Sequence, residues 1–238
     1  MENTKNLFWK DMNLLMEHIA QFEKYQTTGR IAPLTKEAVS GNLVRFGGYS
    51  WIVVCMDEEE STCLLLTSKL LAIRPMKYHG TDGPVTWEDS DMRKYLNETF
   101  YKKLHPDDQA RVMEIKHQTP ATPRYDTPGG NDTTDKVFLF NLDEMVKYLG
   151  DSGQLMKKGW THEEHTDYSK PCLIDDEYNN MRHAKNEFGE DFPYWLRSAG
   201  RGPDYTAVVR ADGVMDMCGE AASGVAGVRP AMWVRLEV

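Results

Sequence analysis

Four cysteines, two histidines three residues apart and a cluster of hard oxygens are the groups in this 238-residue chain whose types could do chemistry. Cys55, Cys63, Cys172 and Cys218 lack the paired spacing of a zinc site and read as reduced, buried thiols. His162-Glu163-Glu164-His165 would set two imidazoles at i and i+3. The zinc-protease pattern needs i and i+4, so a solvated polar loop is the better reading. Asn131, Asp132 and Asp135 supply oxygens of the kind calcium takes, in a glycine-flanked loop. The same side chains also cap turns and strand starts, which is their commoner job. Ser198 and Ser223 sit in no Gly-x-Ser-x-Gly elbow, and no glycine loop ends in Lys-Ser/Thr. The run Glu58-Glu59-Glu60 reads as a turn facing water. These types compose no catalytic constellation. The expectation is a non-enzyme without a cofactor, calcium being the exception its oxygens allow.

Composition narrows the partners. A net charge of −9 argues against nucleic acid, whose phosphates need clustered Lys and Arg. Neither a bilayer-spanning apolar run nor a signal-peptide core appears, so a cytoplasmic protein without a membrane partner is expected. With 40% hydrophobic and 27% charged residues, a core is affordable in one large domain or two small ones.

The elements that must position these groups start with a helix. Phe8, Met12, Leu15, Ile19 and Phe22 recur at steps of four and three, with Trp9 and Met16 widening the stripe. Residues 1–42 are therefore an amphipathic helix and connector, docked on its own domain or pairing copies of the chain in a homo-oligomer. Strands are predicted over Leu43–Phe46, Tyr49–Met56 and Cys63–Thr67, the last an unbroken apolar run buried on both faces. Helices are predicted over Met92–Leu104 and from Pro106 to Met113. A strand over Lys136–Phe140 and helices over Leu142–Leu149 and Asp175–Asn186 follow, with loop over Gln118–Asp135 and Asp151–Lys170.

The last 45 residues hold the expected site. Tyr205–Arg210 alternates as a strand, Ala211-Asp212-Gly213 turns it, and Val214–Cys218 returns. Gly219–Gly227 is a small-residue loop, a poor scaffold that suits the rim of a site held by rigid strands. Arg201, Asp204, Tyr205, Met215, Met217, Glu220 and Ser223 are the predicted ligand-binding residues, because Tyr and Arg anchor interfaces and Met adapts its shape. Arg197 and Arg229 read instead as fork donors to loop carbonyls or carboxylates, and Trp195 and Trp233 as core.

Ordered motifs add a resemblance. Arg45-Phe46-Gly47-Gly48-Tyr49-Ser50-Trp51, Thr86-Trp87, Arg93-Lys94-Tyr95-Leu96-Asn97, Phe100-Tyr101 and Gly129–Lys136 belong to this set. So do Tyr194-Trp195-Leu196-Arg197-Ser198 and Gly227-Val228-Arg229-Pro230-Ala231. Together, from Leu43 to Val238, they resemble a widespread bacterial domain family of unknown function. That family is similar to the C-type-lectin-like fold of the formylglycine-generating sulfatase-modifying factors and of the variable proteins of diversity-generating retroelements. The resemblance implies an α+β domain over residues 43–238 with short antiparallel sheets, at least two helices, long loops and neighbouring chain ends. It also implies a non-enzymatic module that offers its C-terminal loops and hairpin to a protein or carbohydrate ligand. Two alternatives stand beside it: a sulfatase-modifying-factor-like enzyme or metal-dependent modifier, and a structural subunit assembled through the N-terminal helix. The enzymes of that fold use two nearby late cysteines to bind copper, whereas Cys218 stands alone late in this sequence.

Overall fold

Leu43-Val44-Arg45-Phe46 alternates exposed and buried side chains, as a strand with one covered face must. The computed structural model describes residues 43–77, 85–157 and 172–237. The predicted N-terminal helix and the His162–His165 tetrad lie outside the described residues.

Strand β1 (Leu43–Phe46) turns through Gly47-Gly48 into β2 (Tyr49–Asp57). Both glycines have positive φ, 58° and 85°, the geometry that lets a two-residue loop follow the twist of its strands. A bulge between Val53 and Cys55 breaks the expected alternation of β2. The acidic turn at Glu58-Glu59-Glu60 is exposed, as expected, and leads into β3 (Thr62–Thr67), buried at every position. Strand β4 is Ile73–Arg74.

Helix α1 (Asp91–Lys94) starts at Ser90, whose Oγ accepts from the Arg93 N–H at 3.0 Å. It runs on as a π turn, Tyr95–Phe100, and a 3₁₀ turn, Tyr101–Lys103, within the span predicted as one helix. Helix α2 (Pro106–Gln109) is shorter than expected. Val112 bridges Val234, and the Met113 N–H donates to Trp233 O at 2.8 Å, which pulls the chain into a sheet instead.

Strands β5 (Ile115–His117) and β6 (Thr133–Asp135) pair antiparallel, with a 3₁₀ turn at Pro123–Tyr125 between them. The predicted strand at Lys136–Phe140 is displaced to β6. Asn97 Oδ1 takes the N–H groups of Lys136 and Val137 at 2.9 and 3.2 Å, so only Phe138 is left to bridge, to Ala231. Helix α3 (Leu142–Leu149) has a full capping box, Asn141 with Glu144, and stops at Gly150 as predicted.

Helix α4 is Gln154–Lys157, β7 is Leu173–Ile174 and α5 is Asn179–Arg182. The longer helix predicted over Asp175–Asn186 is absent. Asp176 Oδ1 takes the Tyr178 N–H, and Asn186 Oδ1 takes those of Phe188 and Glu190, so side chains hold both ends in turns. Strands β8 (Tyr194–Ala199), β9 (Tyr205–Val209), β10 (Met215–Ala221), β11 (Ala226–Gly227) and β12 (Ala231–Arg235) complete the described chain.

The architecture is mixed α+β. One sheet has the order β1-β2-β3-β12, a second β4-β11-β8-β9-β10-β7, and β5-β6 stands as a pair. Among the described strands, pairing is antiparallel apart from β8 with β11. Trp51, Trp87, Trp195, Phe46, Phe100, Phe138 and Phe140 are fully buried in one continuous core. No described helix is long and apolar enough to cross a membrane.

Candidate functional site

Gly200–Asp204 joins β8 to β9 as a rim tied down by its own backbone. Gly200 N–H donates to Tyr205 O at 2.7 Å, Arg201 N–H to Cys218 O at 2.9 Å and Tyr205 N–H to Gly202 O at 3.1 Å. From outside the loop, Val85 N–H reaches Pro203 O at 2.7 Å and Ala222 N–H reaches Asp204 O at 2.8 Å. The carbonyl of Ala199 accepts from the buried Thr122 hydroxyl. On this frame Arg201 and Asp204 are exposed, and the Arg201 guanidinium lies 4.2 Å from the centre of the half-buried Tyr205 ring.

The facing turn comes from β10. Its pairing with β9 slips between Asp216 and Glu220, and Asp216 holds the bulge. One carboxylate oxygen accepts from Cys218 and Gly219 N–H at 2.9 and 3.3 Å; the other takes Arg210 at 2.5 and 3.0 Å. Beyond the bulge Glu220 and Ser223 are exposed, and the Gly224 N–H closes the turn on Ala221 O at 2.7 Å. Arg201, Asp204, Tyr205, Glu220 and Ser223 thus stand on two turns that the Asp204–Ala222 bond joins.

Met215 and Met217 do not join them. Both are 0% exposed, because β10 lies between β9 and β7 and is covered on both faces. For the same reason Thr206–Val209 is buried throughout, although alternation had predicted one outward face. Trp195 is core, donating to Arg74 O at 2.7 Å, while Trp233 is only half-buried, against expectation. Arg197 and Arg229 are the fork donors predicted. Arg197 holds Leu139 O, Gln118 O and the Glu144 carboxylate; Arg229 holds Thr67 O and Arg182 O.

The hard-oxygen cluster disperses into cation and amide contacts. Asp135 is buried and takes Arg93 Nε at 2.7 Å, Trp87 Nε1 at 2.8 Å and the Thr133 hydroxyl at 2.7 Å. Asp132 pairs with Lys116 at 3.3 Å and Asn131 donates to Glu88 at 3.0 Å. Among the described residues no three His, Cys, Asp or Glu converge as a metal site.

The thiols hold one surprise. Cys218 Sγ lies 2.9 Å from the Tyr125 hydroxyl and accepts the backbone N–H of Cys172 at 3.4 Å. Sequence distance hid this contact, since 46 residues separate the two cysteines. All four cysteines are free, and burial pushes the Cys63 thiol up to about 12. Ser198 Oγ accepts the Leu142 N–H at 3.0 Å.

Residues 60–236 match the family described as a domain of unknown function (DUF6273). The chain belongs to the DUF6273 family. No curated protein and no solved structure matches it. The DUF6273 span starts in the turn before β3 and takes in the whole six-stranded sheet, so both turns of the rim belong to the family domain.

Proposed function

We propose that this DUF6273 chain is a non-enzymatic recognition module of C-type-lectin-like build, whose rim of Arg201, Asp204, Tyr205, Glu220 and Ser223 meets a protein partner. The single observation that carries the reading is the Arg201–Tyr205 stack, presented on an exposed turn whose backbone is already bonded in place. Arg and Tyr are the side chains that most often anchor interfaces. A rim that is rigid before contact loses little conformational freedom on binding. The lectin-like build draws support from β1 and β12 sharing one sheet, which brings the two ends of the domain into the same layer. The non-enzymatic reading draws support from Cys63, Cys172 and Cys218 lying buried, with the Cys63 thiol pushed up to about 12 by that burial.

The test exposes the immobilised chain and its R201A/Y205A variant to a lysate of the source organism, with retained proteins quantified. We expect a partner enriched at least about tenfold on the wild type, since losing one anchor costs about 1.4 kcal/mol or more. No enriched protein, or enrichment that survives both substitutions in a normally folded variant, overturns the reading.

A further inference from the structure

Apart from the rim, a concavity opens between β5, α3 and β12, with a volume of about 500 Å³. Its floor is a fixed polar layer. Glu144 accepts from Asn141 N–H at 2.9 Å and from both guanidinium NH groups of Arg197, and His117 Nδ1 lies 3.7 Å away. Arg197 is locked in turn by Leu139 O at 3.0 Å and Gln118 O at 3.3 Å. His117 is 4% exposed, its ring 4.0 Å from that of Phe138. Its Nε2 has no hydrogen-bond partner, and neither has Arg197 Nε.

The walls decide what could enter. Three cations, Lys116, Lys147 and Arg197, face three carboxylates, Asp132, Asp143 and Glu144. Two of these pairs are already closed, Lys116 on Asp132 and Arg197 on Glu144. An anion would meet as many carboxylates as cations, and a cation would meet the reverse, so net charge wins nothing here. A hydroxyl both donates and accepts, so it suits a wall that carries donors and acceptors in equal number. Tyr148 and the half-buried Trp233 add aromatic surface for the C–H faces of a ring. The volume lies within the usual range of small-molecule sites, about 300–1,000 Å³.

We infer that this cavity is a binding site in its own right, taking an uncharged, hydroxyl-rich small molecule of sugar size. It is independent of the rim. The test follows the Trp233 indole N–H by two-dimensional NMR, assigned through W233F, during titration with glucose, galactose, mannose and N-acetylglucosamine. Citrate and spermidine serve as anionic and cationic probes. At least one sugar is expected to shift the indole signal saturably, with affinity lowered about tenfold in D143A/K147A and unchanged in R201A/Y205A. The substituted pair is exposed, and alanine is a good helix former, so α3 persists in the variant. A signal that no sugar shifts saturably, one that citrate or spermidine shifts instead, or sugar binding unchanged in D143A/K147A overturns the inference.

Discussion

Glu144 keeps its charge where withdrawal from water would tend to remove it. Burial raises its pKa, but His117, the Arg197 charge and the Asn141 N–H lower it, and the lowering wins. A carboxyl depressed in the folded state stabilises the fold above its unfolded value of about 4.3, and that support is lost as pH falls through the folded value. Denaturation midpoints followed from about pH 6 to about pH 3 should therefore drop more steeply for the wild type than for E144Q. Asp176 is depressed in the same direction, so the difference between the two proteins isolates Glu144. At neutral pH E144Q should lose on the order of 3 kcal/mol, because Arg197 is left buried without its counter-charge. Equal acid slopes for the two proteins would remove the ion pair from this account. Residues of this kind were partly legible. Arg197 and Arg229 read as fork donors from their type and setting, whereas Arg182, fully buried against Asp176, fell inside the helix predicted over Asp175–Asn186 with nothing to single it out. Nothing local distinguishes an arginine that pairs six residues away in a turn from one that faces water.

At the scale of elements, hairpins were legible and interior strands less so. Ala211-Asp212-Gly213 predicted the β9–β10 turn, and it forms: Arg210 N–H donates to Val214 O at 2.8 Å, and Asp212 Oδ1 takes the Val214 N–H at 3.1 Å. Gly213 sits at φ 86°, and a Cβ there would run into the backbone carbonyl of Asn179. G213A should cost on the order of 3 kcal/mol, from the left-handed backbone together with that collision, read as a fall in denaturation midpoint. A loss under about 0.5 kcal/mol, the level of an ordinary surface change, would mean that the turn relaxes away from α5. Alternation failed in β9 and β10 because both lie inside a six-stranded sheet, where covered faces erase the period of two. The buried Asp216 explains why a charged residue interrupts an apolar strand: it holds the bulge that aims Glu220 outward. The Lys136–Phe140 and Asp175–Asn186 predictions failed for a different reason, side chains taking backbone donors that propensity assigns to regular structure.

On the scale of the whole molecule, what no local pattern could give is which strands meet. β12 closes the first sheet against β3, more than 160 residues earlier, and is also bridged by Val112 and Phe138. Its neighbourhood buries Ala231, Met232, Val234 and Leu236, and Arg111 grips Arg235 O at 3.1 and 3.0 Å. At about 1.5–3 kcal/mol for each large side chain, Met232, Val234 and Leu236 together contribute about 5–9 kcal/mol. That is comparable to the whole stability of an ordinary domain, about 5–15 kcal/mol. Deleting residues 231–238 should therefore abolish cooperative thermal unfolding followed by circular dichroism, whereas E237A removes the exposed Arg111–Glu237 pair and should cost less than about 1 kcal/mol. A cooperative transition in the longer deletion would show that the remaining sheets hold a core without β12. The rim would then rest on the six-stranded sheet alone, whose last strand in chain order is β11 and which keeps both of its turns. If cooperativity is lost instead, the last strand and the rim stand or fall together, and recognition by Arg201 and Tyr205 depends on a strand that touches neither turn in sequence.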